Sequence, residues 1–450
     1  MPNRIVTVLG RLRQDLAACL TPEAIQAAAR QAGHSWRHRV LDPVTTLYLF
    51  IMQVLHGNTA TSHVVQFGGW SFTDSAYCQA RKRLPLAIFH ALLERTAAPL
   101  RAATAAASDW YGHRVWILDG SGFSMPDTPE LQRGFGQPGN QKPGCGFPVA
   151  RWLALFDLAT GMLLRSATAP LRTHDMALAG DIADDLKPGD VVLGDCGLCS
   201  YVHIAKLHVR GLHAVFRMHQ RRIVDFTPGR PQAPAKSKRT RAQGLPHSRW
   251  VRAYGDSDQV VIWPKPKSKP KGMTVEEYAE LPEEMMVREV RYRIDAPGFR
   301  TTEITLVTTL VDATVYPAEA LADLYYRRWQ VELNFRHMKI TMKMDVLRCE
   351  TVDGVLKELA IFSLVYNLIR SAMVESARLQ GVAPERISLV DTWRWLVGDG
   401  EKDESVLRVN PERRGRVEPR VRKRRPKQYP LMKKPRSALR KQLAAKQVAA

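Results

Sequence analysis

Long apolar runs are absent from this chain of 450 residues. Its most apolar stretch, Val44 to Leu55, still contains Thr45, Thr46 and Gln53 and is too short to span a bilayer. Cysteine is sparse. Cys19, Cys78, Cys145, Cys196, Cys199 and Cys349 do not make the framework of a secreted disulfide domain. Cys196 and Cys199 form a CxxC pair, but no second pair accompanies it, and zinc would need two further ligands. The stretch from Met1 to Leu16 has no apolar h-region and does not read as a signal peptide. Acidic residues are also few: 44 Asp and Glu face 66 Lys and Arg, for a net charge of +22 and a pI near 10.0. Such a basic chain favours a polyanionic partner, and its expected place is the cytoplasm.

What is present is a globular composition, 45% hydrophobic and 24% charged, with room for two or three domains. Residues 1–108 read as all helix. Thr21-Pro22-Glu23 and Asp42-Pro43 are helix starts, each a capping side chain followed by Pro at the first helical position, and Gly57 closes the second helix. A third segment runs from Thr73 to Leu84 and is stopped by Pro85. Its polar face carries Gln79, Arg81, Lys82 and Arg83, as in a groove-reading helix; a solvated basic helix end is the plainer alternative.

Strand signals begin at Val115-Trp116-Ile117-Leu118, followed at once by Asp119-Gly120. An apolar strand ending in Asp and Gly presents a carboxylate at a crevice. Residues 125–148 are turn-rich and read as an ordered loop. Residues 152–156 and 162–164 read as an antiparallel pair turning at Ala159-Thr160-Gly161, and 175–186 as helix, with Asp175, next to His174, as its cap. Val191-Val192-Leu193 then ends in Gly194-Asp195, the second aspartate at a strand end. From 217 to 303 the α/β rhythm breaks. Runs 259–263 and 287–294 read as strands of an inserted, mostly β subdomain, with a basic loop near 228–241. Residues 303–310 resume the core, and 356–378 form a long apolar helix. Beyond Arg413 there is little to bury: from Glu401 to Ala450, 17 Lys and Arg stand against 5 Asp and Glu, which is +12 of the +22.

The organising stretch lies between 317 and 339. Pro317 suits a first helical turn, and Ala318 to Lys339 run without Pro or Gly. On a helix of about 100° per residue, Tyr325, Arg328, Glu332 and Lys339 fall near 0°, 300°, 340° and 320°, one narrow stripe. A carboxylate flanked by a guanidinium, an ammonium and a phenol suits a metal-bound phosphodiester, the cations taking phosphate oxygens. The alternative is a solvated face of Glu–Arg and Glu–Lys pairs.

Tyr, two residues, Arg, three residues, Glu, six residues, Lys resembles the YREK signature of bacterial insertion-sequence-four family transposases, of the DDE, RNase H-like class. Asp119-Gly120-Ser121-Gly122-Phe123-Ser124-Met125-Pro126-Asp127 is similar to that family's first-aspartate segment, and Ala76–Pro85 to a further family segment. The second-aspartate segment departs from the pattern: Asp195 is followed by Cys196 where the family usually has Arg, and Arg210 or Arg217 are the candidates to supply the missing charge.

The resemblance implies an RNase H-like core in two parts, 109–216 and 304–380. The β-rich insertion would span 217–303, the helical DNA-binding domain 1–108, and a helical, basic C-terminal region 381–450. It implies Asp119, Asp195 and Glu332 as catalytic metal ligands for two Mg²⁺ ions, with Mn²⁺ as substitute, and Tyr325, Arg328 and Lys339 as phosphate contacts. It further implies cut-and-paste transposition through a hairpin, on transposon ends and target DNA, by a dimer in the bacterial nucleoid. Family relatives flip a base onto a Trp of the insertion; Trp263 and Trp250 are the candidates here, each equally readable as a structural tryptophan. Two rivals stay open: a metal-dependent nuclease without strand transfer, and a transposase-derived DNA-binding protein that no longer cuts.

Overall fold

Runs rich in Val, Leu, Ile and aromatic residues supply one nine-stranded mixed sheet. The structure is a computed structural model that describes residues 3–12, 14–67, 71–104, 110–173, 178–179, 182–233, 244–294, 303–398, 407–411 and 431–448. The strands are β1 (Val115–Ser124), β2 (Val149–Asp157), β3 (Leu163–Pro170), β4 (Val191–Gly194), β5 (His213–Arg217), β6 (Arg249–Gly255), β7 (Asp258–Pro264), β8 (Glu284–Arg293) and β9 (Glu303–Thr308). Their order is β3-β2-β1-β4-β5-β9-β8-β7-β6. β1, β4 and β5 are parallel, and every other neighbour is antiparallel. The β2–β3 hairpin turns where the sequence places it, with Gly161 at φ +67°. Strands β6, β7 and β8 come from the segment read as an insertion, and they extend the same sheet through β9.

The two-residue period of a strand sorts side chains between two apolar layers. Val115, Ile117, Val191, Leu193 and Val215 face one cluster; Trp116, Leu118, Val192, Ala214 and Phe216 face the other. The first cluster is continuous with the N-terminal helices and with the helix Val352–Gln380. The capping signals act as read: Thr21 Oγ1 accepts the Ala24 N–H and Asp42 Oδ1 the Thr45 N–H. Among the elements that escaped the sequence reading are the strand β6 and the short helix Val275–Ala279 in the 217–303 segment, and a helix before them. Pro129–Phe135 is a helix inside the turn-rich 125–148 stretch, capped by Thr128. The helix read at 175–186 falls partly outside the described residues, as do His174, Asp175 and most of the basic loop and tail.

Candidate active site

Asp119 and Asp195 meet through the register of β1 and β4. The last parallel pair is Leu118 with Gly194, so each aspartate is the next residue beyond it, on strands about 4.8 Å apart. Alternation continues from Val115 and Ile117 to Asp119, and from Val191 and Leu193 to Asp195. Both carboxylates are thereby assigned to the sheet face that carries Leu324, Tyr325 and Val331. β1 does not stop at Asp119, as the sequence suggests. It continues against β2 to Ser124, leaving its other edge without β4. That edge is taken up by Lys339, whose Nζ donates to Ser121 Oγ (3.1 Å) and to the Gly122 carbonyl (2.8 Å), and by a parallel bridge between Ser124 and Val346.

The stretch read as one helix is divided. Ala318–Arg327 and Gln330–Arg336 are α-helical, and His337–Thr341 is a π-helical turn. Between the first two, N–H groups bond three residues back: Arg328 to Tyr325, Trp329 to Tyr326, Val331 to Arg328 and Glu332 to Trp329. The chain overwinds at Arg328 and underwinds at Lys339, so a uniform 100° wheel misplaces the later residues. The overwound turn puts the Arg328 guanidinium against Asp119, Nη1 to Oδ2 at 3.1 Å, with the rings of Tyr325 and Trp329 beside it. Tyr325 is buried, and its hydroxyl finds no hydrogen-bond partner among the described residues. Glu332 is exposed on the second helix.

Burial pushes the Asp119 carboxyl up to about 6; Arg328 and the Gly120 N–H pull it down, and the Asp195 and Glu332 carboxylates raise it. Burial lowers Arg328, but Tyr325, Asp119, Asp195 and Glu332 outweigh it and hold the guanidinium charged. Among the described residues, no three His, Cys, Asp or Glu side chains close to the distances of a metal cage. The donor set nevertheless fits a hard divalent cation: oxygens alone, in mutual repulsion that a cation would relieve. Asp119 Oδ2 is engaged by Arg328, and Asp195 Oδ1 by the Gly197 N–H at 2.9 Å.

Other expected residues fare differently. Of the two arginines considered beside Cys196, Arg210 pairs with Asp184, whereas the Arg217 charge acts on the hydroxyls of Tyr325 and Tyr292, at the site. Arg81 is not presented to a groove: its guanidinium donates to Gln53 Oε1 (3.1 Å) and Cys349 Sγ (3.0 Å) over the ring of Phe50. Gln79, Lys82 and Arg83 are exposed. Trp263 is fully buried, its Nε1–H donating to Glu289 Oε1 at 3.0 Å and Arg222 covering its ring, contacts that a structural tryptophan makes. Trp250 is half-buried on the sheet-edge strand β6, with a buried, unpaired Nε1–H. The Cys199 thiol is pushed up to about 11 by burial, which opposes thiolate chemistry.

Residues 110–368 match the family described as "Transposase DDE domain". The chain is 25% identical over 383 residues to the transposase InsG for insertion sequence element IS4 of Escherichia coli K12, covering 79% of this chain and 78% of that one. It is 33% identical over 122 residues to the putative transposase InsZ of the same organism, covering 27% and 41% respectively. It is 24% identical over 311 residues to the transposase for IS231C of Bacillus thuringiensis, covering 61% and 60%. Among solved structures, the piggyBac transposase synaptic complex with hairpin DNA aligns with a TM-score of 0.45 at 10% identity, over 86% of this chain and 80% of that one.

Proposed function

The chain belongs to the transposase DDE domain family as an IS4-type enzyme, and from that premise we propose that it cuts transposon ends and joins them to target DNA at the site built around Asp119, Asp195 and Glu332. The observation that carries this is the juxtaposition of Asp119 and Asp195 beyond the last β1–β4 pair, beside Arg328 of the signature stretch. The strand order β3-β2-β1-β4-β5, with β1, β4 and β5 parallel, supports an RNase H-like reading of the core. In the same proposal, residues 1–108 form the helical DNA-binding domain and 217–303 the insertion. Residues 381–450 contribute basic contacts, and two protomers hold the two ends.

Asp119, Asp195 and Glu332 would hold two Mg²⁺ ions, with Mn²⁺ as substitute, which when bound activate an attacking oxygen and stabilise a leaving one. Arg328 is placed to move from the Asp119 carboxylate to a phosphate oxygen, a charge-assisted exchange of like partners. Lys339 sits on the β1 edge beyond β4, held by Ser121 and the Gly122 carbonyl, and would exchange those partners for a backbone phosphate. Tyr325 supplies a buried hydroxyl beside Arg328 that has no hydrogen-bond partner among the described residues. Water attacks the phosphodiester at the element end and frees a 3′-hydroxyl. That hydroxyl attacks the opposite strand, giving a hairpin and expelling the 3′-hydroxyl of the flanking DNA; a second water hydrolyses the hairpin phosphodiester and regenerates the element's 3′-hydroxyl, which attacks a target phosphodiester and expels a target 3′-hydroxyl.

A labelled end duplex with wild-type protein and Mg²⁺ should give a nick, a hairpin and a joined product. Asp119→Ala, Asp195→Ala and Glu332→Ala should each abolish all three while DNA binding stays within a few-fold. Normal cleavage by one variant removes that residue from the site. Cleavage with no joined product, whatever the target, turns the reading to the nuclease. Ca²⁺ should support binding with little cleavage, because its longer and looser coordination misplaces the attacking oxygen; equal rates in Ca²⁺ and Mg²⁺ would count against two-ion chemistry.

A further inference from the structure

A cavity of about 380 Å³ lies in the N-terminal helical region, apart from the carboxylates. Its wall is the loop from His34 to Asp42, together with the Arg83 end of the helix Asp74–Arg83. Three guanidiniums line it, Arg37, Arg39 and Arg83, all exposed. None of them makes an ion pair or a side-chain hydrogen bond among the described residues. This sets them apart from their neighbours: Arg81 is spent on Gln53 and Cys349, and Arg30 on Gln26 and the Trp36 ring. One carboxylate lines the same cavity, Asp42, and its Oδ1 caps the following helix by accepting the Thr45 N–H at 2.7 Å. Three cations thus face one anion that is already engaged.

We infer that this cavity is a phosphate-binding pocket that seats one backbone phosphodiester of DNA between Arg37, Arg39 and Arg83. Guanidiniums match phosphate oxygens in fork geometry and are weakly hydrated, so three of them left unpaired around one concavity form an anion site. Trp36 in the wall is packed by its neighbours: the Arg30 guanidinium lies 5.7 Å from the indole centroid and the His34 ring stacks at 5.9 Å and 18°. The field is positive. His34 is held below its ordinary range by burial and then by the charges of Arg83 and Lys357. The assignment also moves Arg83 from a base contact to a phosphate contact: it positions DNA without reading its sequence.

This inference rests on the chain being a DNA-acting transposase, and the experiment separates the two. Full-length protein is titrated with end duplex and with random duplex over a range of salt, as wild type, as Arg37→Gln, Arg39→Gln and Arg83→Gln singly, and as the triple variant. One phosphate lost from the contact set lowers the slope of log K against log salt by about 0.9. The triple variant should show that loss and bind both duplexes on the order of tenfold more weakly at moderate salt, with their ratio unchanged. Each single variant should fall between, and Arg83→Lys should retain most of the binding. Wild-type affinity and slope in all of these variants would overturn the pocket and leave the enzyme reading standing. Failure of the wild type to bind any DNA would overturn the reading itself. A changed ratio of end to random binding would mean base contact rather than phosphate contact, and would also overturn the proposal.

Discussion

Arg328 holds a position that its sequence spacing does not reveal. The motif suggests a cation waiting for phosphate; the structure shows it closing on Asp119 at 3.1 Å. Removing it should therefore raise the Asp119 carboxyl further, since burial and the two neighbouring carboxylates remain. The sign follows from linkage. A carboxyl whose folded value lies above its unfolded one favours the fold as pH falls through that interval and disfavours it above. Arg328→Ala should accordingly lose more stability at pH 7 than at pH 5, by roughly 1 kcal/mol. Urea melts at the two pH values test this, and an equal loss at both would show that the ion pair does not set the Asp119 proton. His203 gives the opposite slope. Buried with Nδ1 against the Leu198 carbonyl, it falls from 6.5 to about 4, so the fold excludes a proton that the unfolded chain takes up below pH 6.5. Between pH 7 and pH 5 this group should remove about 2 kcal/mol. His203→Phe, which keeps a ring against Phe216, should flatten that part of the profile. An unchanged acid slope in this variant would assign the effect to other groups, such as His337, which burial lowers to about 3.

At the scale of elements, the position of Asp195 just past β4 is legible because a strand end is a local signal, an apolar run closed by Gly and Asp; the same signal at Asp119 misleads, since β1 runs on through it to Ser124. The register that brings Asp119 beside Asp195 was not legible, because pairing of β1 with β4 is set across 76 residues by the whole sheet. The wheel over 318–339 failed for a related reason. It assumes uniform pitch, and the turns at 328–332 and 337–341 depart from it in opposite directions. The helix Pro129–Phe135 was readable. Thr128-Pro129-Glu130 has the same form as Thr21-Pro22-Glu23, but the surrounding prolines and glycines masked it. Arg81 shows the limit of helix-face arguments. Its side chain leaves the polar face to brace the helix Asp74–Arg83 against Gln53 of Pro43–Leu55 and against Cys349. Arg81→Ala should thus destabilise the protein by about 1–3 kcal/mol, leaving Gln53 and Tyr77 less well satisfied, while the ratio of end to random DNA affinity stays fixed. Denaturant melts and paired binding titrations test it. A wild-type midpoint with a collapsed ratio would restore Arg81 to the DNA surface.

For the whole molecule, one apolar cluster joins the N-terminal helices, one face of the sheet and the long helix Val352–Gln380. Asn58 Nδ2 donates to the buried Glu358 at 2.8 Å across the same junction. The helical region that would grip DNA is thereby fixed to the sheet that carries the carboxylates. A phosphate held in the His34–Arg83 cavity would then set where the strand enters the site. The C-terminal charge works otherwise. Residues 412–430 lie outside the described structure, but their sequence carries Lys and Arg between prolines, as in Arg422-Lys423-Arg424-Arg425-Pro426. Pro fixes φ and removes a backbone donor, which does not build a base-reading face, whereas charge alone suffices for phosphates. Truncation at Gly415 should therefore weaken end and random duplex by the same factor. It should also flatten the salt dependence by several units of slope, against about one for the arginine pocket. If truncation instead erases the preference for element ends, the tail reads sequence and the division of labour drawn here is reversed.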